Sequence, residues 1–116
     1  MKIQNAFLGV MLLSGCGEPD ATSTCPNDLP ASCPADVPSY ATDIAPVIHD
    51  RCAPCHTPGA SAGDRPLTSY AEVYARRGPV LNQIHACRMP PSGATAPTPD
   101  ERAALLGWLF CGAPNN

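Results

Sequence analysis

Five consecutive residues, Cys52-Ala53-Pro54-Cys55-His56, constrain this chain more than any other part of its sequence. They bring two thiols and an imidazole close together along the chain. A C-x-x-C pair of the thioredoxin type should follow a strand, but residues 43–51 instead carry apolar side chains at helical spacing. A zinc site should add a second close pair of ligands, whereas the other cysteines are scattered singly. Both of these alternatives are therefore disfavoured.

The pentapeptide resembles the haem-attachment site of the c-type cytochromes. In that family, two thiols separated by two residues reach two vinyl groups on one porphyrin edge, and the adjacent His binds the iron. The resemblance implies one covalent haem c per chain, attached through Cys52 and Cys55, with His56 as an axial iron ligand. A plain disulfide between the two cysteines remains the alternative.

A second stretch, Cys87-Arg88-Met89-Pro90-Pro91, offers a ligand for the other face of the iron. A Met thioether is a soft ligand that raises the haem potential when it lies opposite His, and the prolines hold the chain extended. The stretch resembles the distal ligand loop of small bacterial cytochromes, which implies Met89 as the sixth ligand. His85 is the competitor. His49 competes less well, because a helix running into the motif keeps it on the proximal side.

Helical signals predict a small all-α domain over residues 40–114. The last helix is the clearest, with Thr98 as N-cap, Glu101 completing a capping box and Gly112 just beyond its end. Shorter patterns predict a helix that starts at Asp43 and others over residues 69–77 and 79–86. The resemblance implies a class I-like cytochrome domain of three to five short helices around one haem. The aromatic fraction of 5% is poor for a core, and a prosthetic group would fill that gap.

Several side chains of this domain have two possible roles. The last helix has a broad apolar surface, formed by Leu105, Leu106, Trp108, Leu109 and Phe110. Within it, the pair Leu105 and Trp108 resembles the residues with which cytochrome C-terminal helices meet the N-terminal helix, whereas Leu106 and Phe110 are expected in the core. Four further residues are either ordinary structural residues or partners of a haem propionate: Tyr70, Tyr74, Arg76 and Arg77.

Residues 1–15 resemble a bacterial lipoprotein signal peptide, with Lys2 at the positive start, a short apolar run and Cys16 after small residues. We expect cleavage before Cys16 and acylation of its thiol; an ordinary secretory signal is the alternative. The proline-rich residues 16–39 predict a tether with a reach of roughly 25 to 60 Å. These features indicate a lipid-anchored protein of the bacterial cell envelope, with its domain in the periplasm or on the cell surface. Gly17 slightly favours the outer membrane.

The remaining four cysteines are candidates for disulfides in an oxidising compartment: Cys25, Cys33, Cys87 and Cys111. Four thiols allow three connectivities. We favour Cys25 with Cys33, which closes a small loop in the tether. Cys87 would then pair with Cys111 and tie the Met89 loop to the last helix.

The net charge and the motifs together limit the functions that this chain could have. The formal net charge is −3, and removal of the signal peptide would also remove Lys2, so nucleic acid is not an expected partner. The resemblance implies an electron carrier rather than an enzyme, with redox proteins as partners. Two alternatives remain open: a haem enzyme or sensor with a labile or His sixth ligand, and a haem-free lipoprotein stapled by disulfides.

Overall fold

The computed structural model describes residues 25–116, and within them the chain is helical with no strand. The predicted all-α class is therefore confirmed. A π-helical segment, Tyr40–Ile44, leads directly into α1, Ala45–Arg51, and is followed by α2, Tyr70–Ala75, α3, Arg77–His85, and α4, Pro99–Phe110. None of the helices in this part of the chain combines the length and apolar character needed to cross a bilayer. The predicted signal peptide and the lipidation site Cys16 lie outside the described residues.

The first helical turn starts earlier than the predicted N-cap Asp43. Ser39 is the N-cap: its hydroxyl accepts a hydrogen bond from the Thr42 amide at 3.4 Å. Asp43 acts from inside the helix, where its carboxylate accepts from the Ser39 amide at 2.9 Å. This reciprocal pair resembles a capping box, so the carboxylate stabilises the start of the helix from a position the sequence did not predict.

Helix α4 is the central element of the core and packs against α3 and the π-helical segment. Its capping box is confirmed, with reciprocal hydrogen bonds of 3.2 and 3.0 Å between Thr98 and Glu101. The predicted burial of Phe110 is wrong, since 40% of the side chain is exposed. Gly112, at φ +92°, ends the helix in a tight turn, and the Ala113 amide then bonds to the carbonyl of Trp108. Ala113 thus takes the buried place next to the helix end.

Aromatic residues close the core around Trp108. The Tyr40 and Tyr70 rings pack against the indole at centroid distances of 5.5 and 6.3 Å. The indole N–H donates to the Pro114 carbonyl at 2.9 Å, and the Tyr70 hydroxyl donates to the Ala113 carbonyl at 2.8 Å. Tyr70 is therefore a structural residue that fastens the C-terminal segment to α2.

The disulfides differ from the favoured pairing. Cys25 is bonded to Cys87, and Cys33 is bonded to Cys111. The pairing favoured from the sequence is wrong, because residues 25–39 lie against the helices. These residues are here called the N-terminal strap. Asp28 holds the strap to Arg102 of α4 through hydrogen bonds of 2.8 and 2.9 Å. The strap has the irregular backbone expected of a tether, but two disulfides fasten it to the helical domain.

Candidate functional site

A cavity of about 410 Å³ lies between the end of α1, the loop after His56, α3 and the loop that follows α3. It brings together all four predicted haem ligands or attachment residues: Cys52, Cys55, His56 and Met89. Most of the remaining lining is apolar and includes Leu67, Val80, Ile84, Pro90, Pro91 and Leu105. An apolar cleft with a few convergent reactive groups is the usual form of a cofactor site.

The pentapeptide leaves α1 and turns back on itself. Cys52 is the C-cap of α1, and its amide donates to the Ile48 carbonyl at 2.9 Å. The amides of Cys55 and His56 then both donate to the Cys52 carbonyl, at 3.2 and 3.0 Å. This turn carries Cys55 and His56 back beside Cys52, so all three side chains line one wall of the cavity.

The His56 imidazole is oriented by the backbone. Its Nδ1 lies 2.7 Å from the carbonyl oxygen of Arg65. Because a carbonyl can only accept a hydrogen bond, Nδ1 must carry the proton, and the lone pair is left on Nε2. Histidines that bind metals are commonly oriented in this way by a carbonyl or carboxylate. His56 is therefore held in the tautomer that an axial ligand requires.

A glycine shapes the loop that presents the Arg65 carbonyl. Gly63 lies so close to the backbone that a Cβ there would stand 2.7 Å from the Thr57 oxygen and 2.8 Å from the Gly59 nitrogen. The Ala62 amide donates to the Cys55 carbonyl at 2.8 Å and ties the same loop to the motif. The role of Gly63 is not visible in the sequence, because a glycine in a loop carries no signal of such close packing.

The two motif thiols are free, whereas the other described cysteines form disulfides. Burial raises the pKa of the Cys52 thiol to about 11, so it is protonated at neutral pH. Catalytic C-x-x-C pairs need the opposite, a lowered thiol pKa. Among residues 25–116, no three His, Cys, Asp or Glu side chains cluster as a metal site would require. The raised thiol pKa weighs against a redox-active thiol pair.

Met89 lies in the cavity, and the two competing histidines do not line it. The Met89 and Arg88 amides both donate to the Gln83 carbonyl, at 3.1 and 2.9 Å, which folds this loop back onto α3. His85 lies 3.3 Å from the Asn27 side chain on the strap, and His49 is an exposed partner of Asp50. Of the sulfur and imidazole groups considered for the sixth position, the structure brings only Met89 to the site.

The cavity has a positive lining, formed by Arg51, Arg65 and Arg76, with no carboxylate among its residues. Arg51 is paired with Glu101 at 2.9 Å. The Nε of Arg76 is buried and has no hydrogen-bond partner, although its Nη2 donates to the Asp64 carbonyl at 3.3 Å. An unpaired buried N–H is costly, so this residue of the cavity lining carries an unsatisfied donor.

The other propionate candidates are engaged elsewhere. The guanidinium of Arg77 stacks on the Tyr74 ring at 4.0 Å and donates to the Tyr74 carbonyl at 2.8 Å. Neither residue lines the cavity. Arg76 is therefore the one of the four candidates whose position fits a haem carboxylate.

Comparison of the chain with protein-family models, with curated proteins and with solved structures finds no match.

Proposed function

We propose that the cavity holds one covalently attached haem c and that the protein carries single electrons in the bacterial cell envelope. The observation that carries this proposal is the convergence of Cys52, Cys55, His56 and Met89 on one apolar cavity. Met89 comes from a sequence motif far from the pentapeptide that holds the other three, and the other described cysteines are held in disulfides.

Each residue has a distinct role in this proposal. Cys52 and Cys55 would attach the haem through thioethers, and Nε2 of His56 and the sulfur of Met89 would bind its iron. Haem iron with these ligands supplies a reversible one-electron couple. The Arg65 carbonyl keeps the His56 ring oriented at 2.7 Å. Arg76, a cation in the lining of the cavity, would pair with a carboxylate of the haem.

The position of Met89 favours a carrier over an enzyme or sensor. A haem with both axial positions filled by side chains has no open site for O₂ or peroxide. Apolar residues such as Leu67 and Leu105 keep water from the ring, and Leu105 is 1% exposed. A low dielectric and fixed ligands suit electron transfer without bond rearrangement.

The predicted anchor places the carrier near a membrane. If Cys16 is acylated, the chain from Cys16 to Cys25 spans at most about 30 Å when extended. The disulfide then joins Cys25 to Cys87, next to the Met89 loop. We therefore propose a shorter reach than the sequence suggested and partners that are redox proteins in, or close to, the same membrane.

Spectra of the exported protein and two variants test this function. The protein is produced in a host with haem-attachment machinery, as wild type, Met89→Ala and the matched control His85→Ala. We expect a low-spin ferrous spectrum and a weak far-red sulfur-to-iron band in the ferric protein, lost in Met89→Ala and kept in His85→Ala.

Two outcomes would contradict the proposal. Loss of low-spin character in His85→Ala, with no effect of Met89→Ala, would identify a bis-His haem. Rapid binding of carbon monoxide by the wild-type ferrous protein would reveal an open sixth position and favour the enzyme or sensor.

A further inference from the structure

We propose that the N-terminal strap positions the iron ligand Met89, through the ion pair of Asp28 with Arg102 and the disulfide of Cys25 with Cys87. This inference rests on the proposed function, because it assigns a purpose to contacts around a residue that we take to be an axial ligand. None of the four residues lines the cavity, so each acts on Met89 through the backbone.

Arg102 joins three parts of the fold. Its Nε and Nη2 donate to the Asp28 carboxylate at 2.8 and 2.9 Å. Its Nη1 donates to the Ile84 carbonyl at 2.7 Å, and Nη2 also reaches the His85 carbonyl at 3.3 Å. These carbonyls belong to the last turn of α3, where a helix provides no partners of its own. Arg102 therefore caps α3, and Asp28 fixes the capping side chain in place.

The disulfide between Cys25 and Cys87 holds the chain just after the end of α3. Cys87 adopts φ 56°, in the left-handed region, and its amide donates to the Ile84 carbonyl at 3.0 Å. This conformation is unfavourable for a residue with a side chain, because the Cβ comes too close to the backbone. The bond to Cys25 fixes Cys87 against the strap at the point where the chain leaves α3.

The loop geometry makes Met89 depend on these contacts. The Arg88 and Met89 amides both donate to the carbonyl of Gln83, so the loop is built on the last turn of α3. If the cap or the disulfide is lost, the end of α3 and the loop can open together as one local unit. A weak Fe–S bond is then the first interaction to be lost.

The ion pair is tested with Asp28→Asn and a matched control, Asp36→Asn, which alters an exposed carboxylate of the same strap. Imidazole competes with Met89 for the ferric iron, so its affinity reports how readily the loop opens. We expect Asp28→Asn to bind imidazole about tenfold more tightly than wild type, with Asp36→Asn within about twofold. We also expect amide exchange at Arg88 and Met89 to accelerate about tenfold in Asp28→Asn, while exchange at Cys52 is unchanged.

A second variant, Cys25→Ser with Cys87→Ser, tests the disulfide and should shift both measurements in the same direction. If Asp28→Asn and the double serine variant match Asp36→Asn in imidazole affinity and in amide exchange, the inference is wrong. Absence of haem, or of the far-red band, in the wild-type protein would instead refute the proposed function. The exchange rates at Arg88 and Met89 do not require haem, so they distinguish the two failures.

Discussion

Replacement of Gly63 with Ala should loosen the loop that orients the His56 imidazole. The added Cβ would stand 2.7 Å from the Thr57 oxygen and 2.8 Å from the Gly59 nitrogen. Both are backbone atoms, so no side-chain rotation relieves the contact. Overpacking of this kind costs about 1 to 3 kcal/mol, and the reduced freedom of the unfolded chain returns about 0.4 to 1 kcal/mol. The difference is a net loss of about 0 to 2.6 kcal/mol in the free energy of unfolding, with a middle value of about 1.3 kcal/mol.

The assay for this prediction is urea unfolding of the wild type, Gly63→Ala and the control Gly78→Ala. Gly78 lies in α3, and a Cβ there would meet no atom within 4 Å. Gly78 lies in the first turn of α3 and directly before Pro79, so the gain in helix propensity is offset, and the control should change the free energy of unfolding by less than about 1 kcal/mol. Amide exchange at Leu67, which donates to the His56 carbonyl at 2.9 Å, should accelerate in Gly63→Ala alone. A Gly63→Ala protein as stable as Gly78→Ala would refute the reasoning.

Two further predictions concern titratable groups. The hydrogen bond from Arg51 holds the pKa of Glu101 below its usual range. The charged carboxylate therefore stabilises the fold above its ordinary pKa, and this contribution is lost as the pH falls through the lowered value. Glu101→Gln should show a shallower fall in Tm at acid pH than wild type or Asp100→Asn, and equal slopes would contradict the pairing. Burial raises the pKa of the Cys52 thiol to about 11, so the rate of its alkylation in the haem-free protein should keep rising up to that pH. If the rate levels off at the same pH as in the urea-unfolded protein, the thiol is exposed and this prediction is wrong.

The parts that the sequence predicted well are those with short-range signals. The sequence singled out the pentapeptide and the Met89 loop, and the structure brings both to one cavity, while their binding of haem stays a prediction. The N-cap of α4 was correct because Thr98 and Glu101 bond each other across one turn. The all-α fold class was predicted from apolar residues that recur at helical spacing.

The parts that the sequence did not predict depend on contacts between distant segments. The disulfide pairing follows from the strap, and the strap is held by a contact of Asp28 with Arg102, for which neither residue gives a local sign. Arg76 and Arg77 are neighbours with equal chemistry, yet only Arg76 lines the cavity, because Arg76 is the residue between α2 and α3 whereas Arg77 is the first residue of α3. Which of the two arginines lines the cavity depends on where α2 ends and α3 begins, and the residue types alone do not reveal this position.

The most direct test of the haem proposal is the intact mass of the denatured chain after export from a host with haem-attachment machinery. We predict a mass larger than that of the polypeptide by one haem, which persists through acid extraction. The double variant Cys52→Ser with Cys55→Ser should lose this increment. It should keep the disulfide between Cys25 and Cys87 and the disulfide between Cys33 and Cys111. A wild-type chain without the increment, and with Cys52 bonded to Cys55, would contradict the haem proposal and identify a haem-free protein stapled by disulfides.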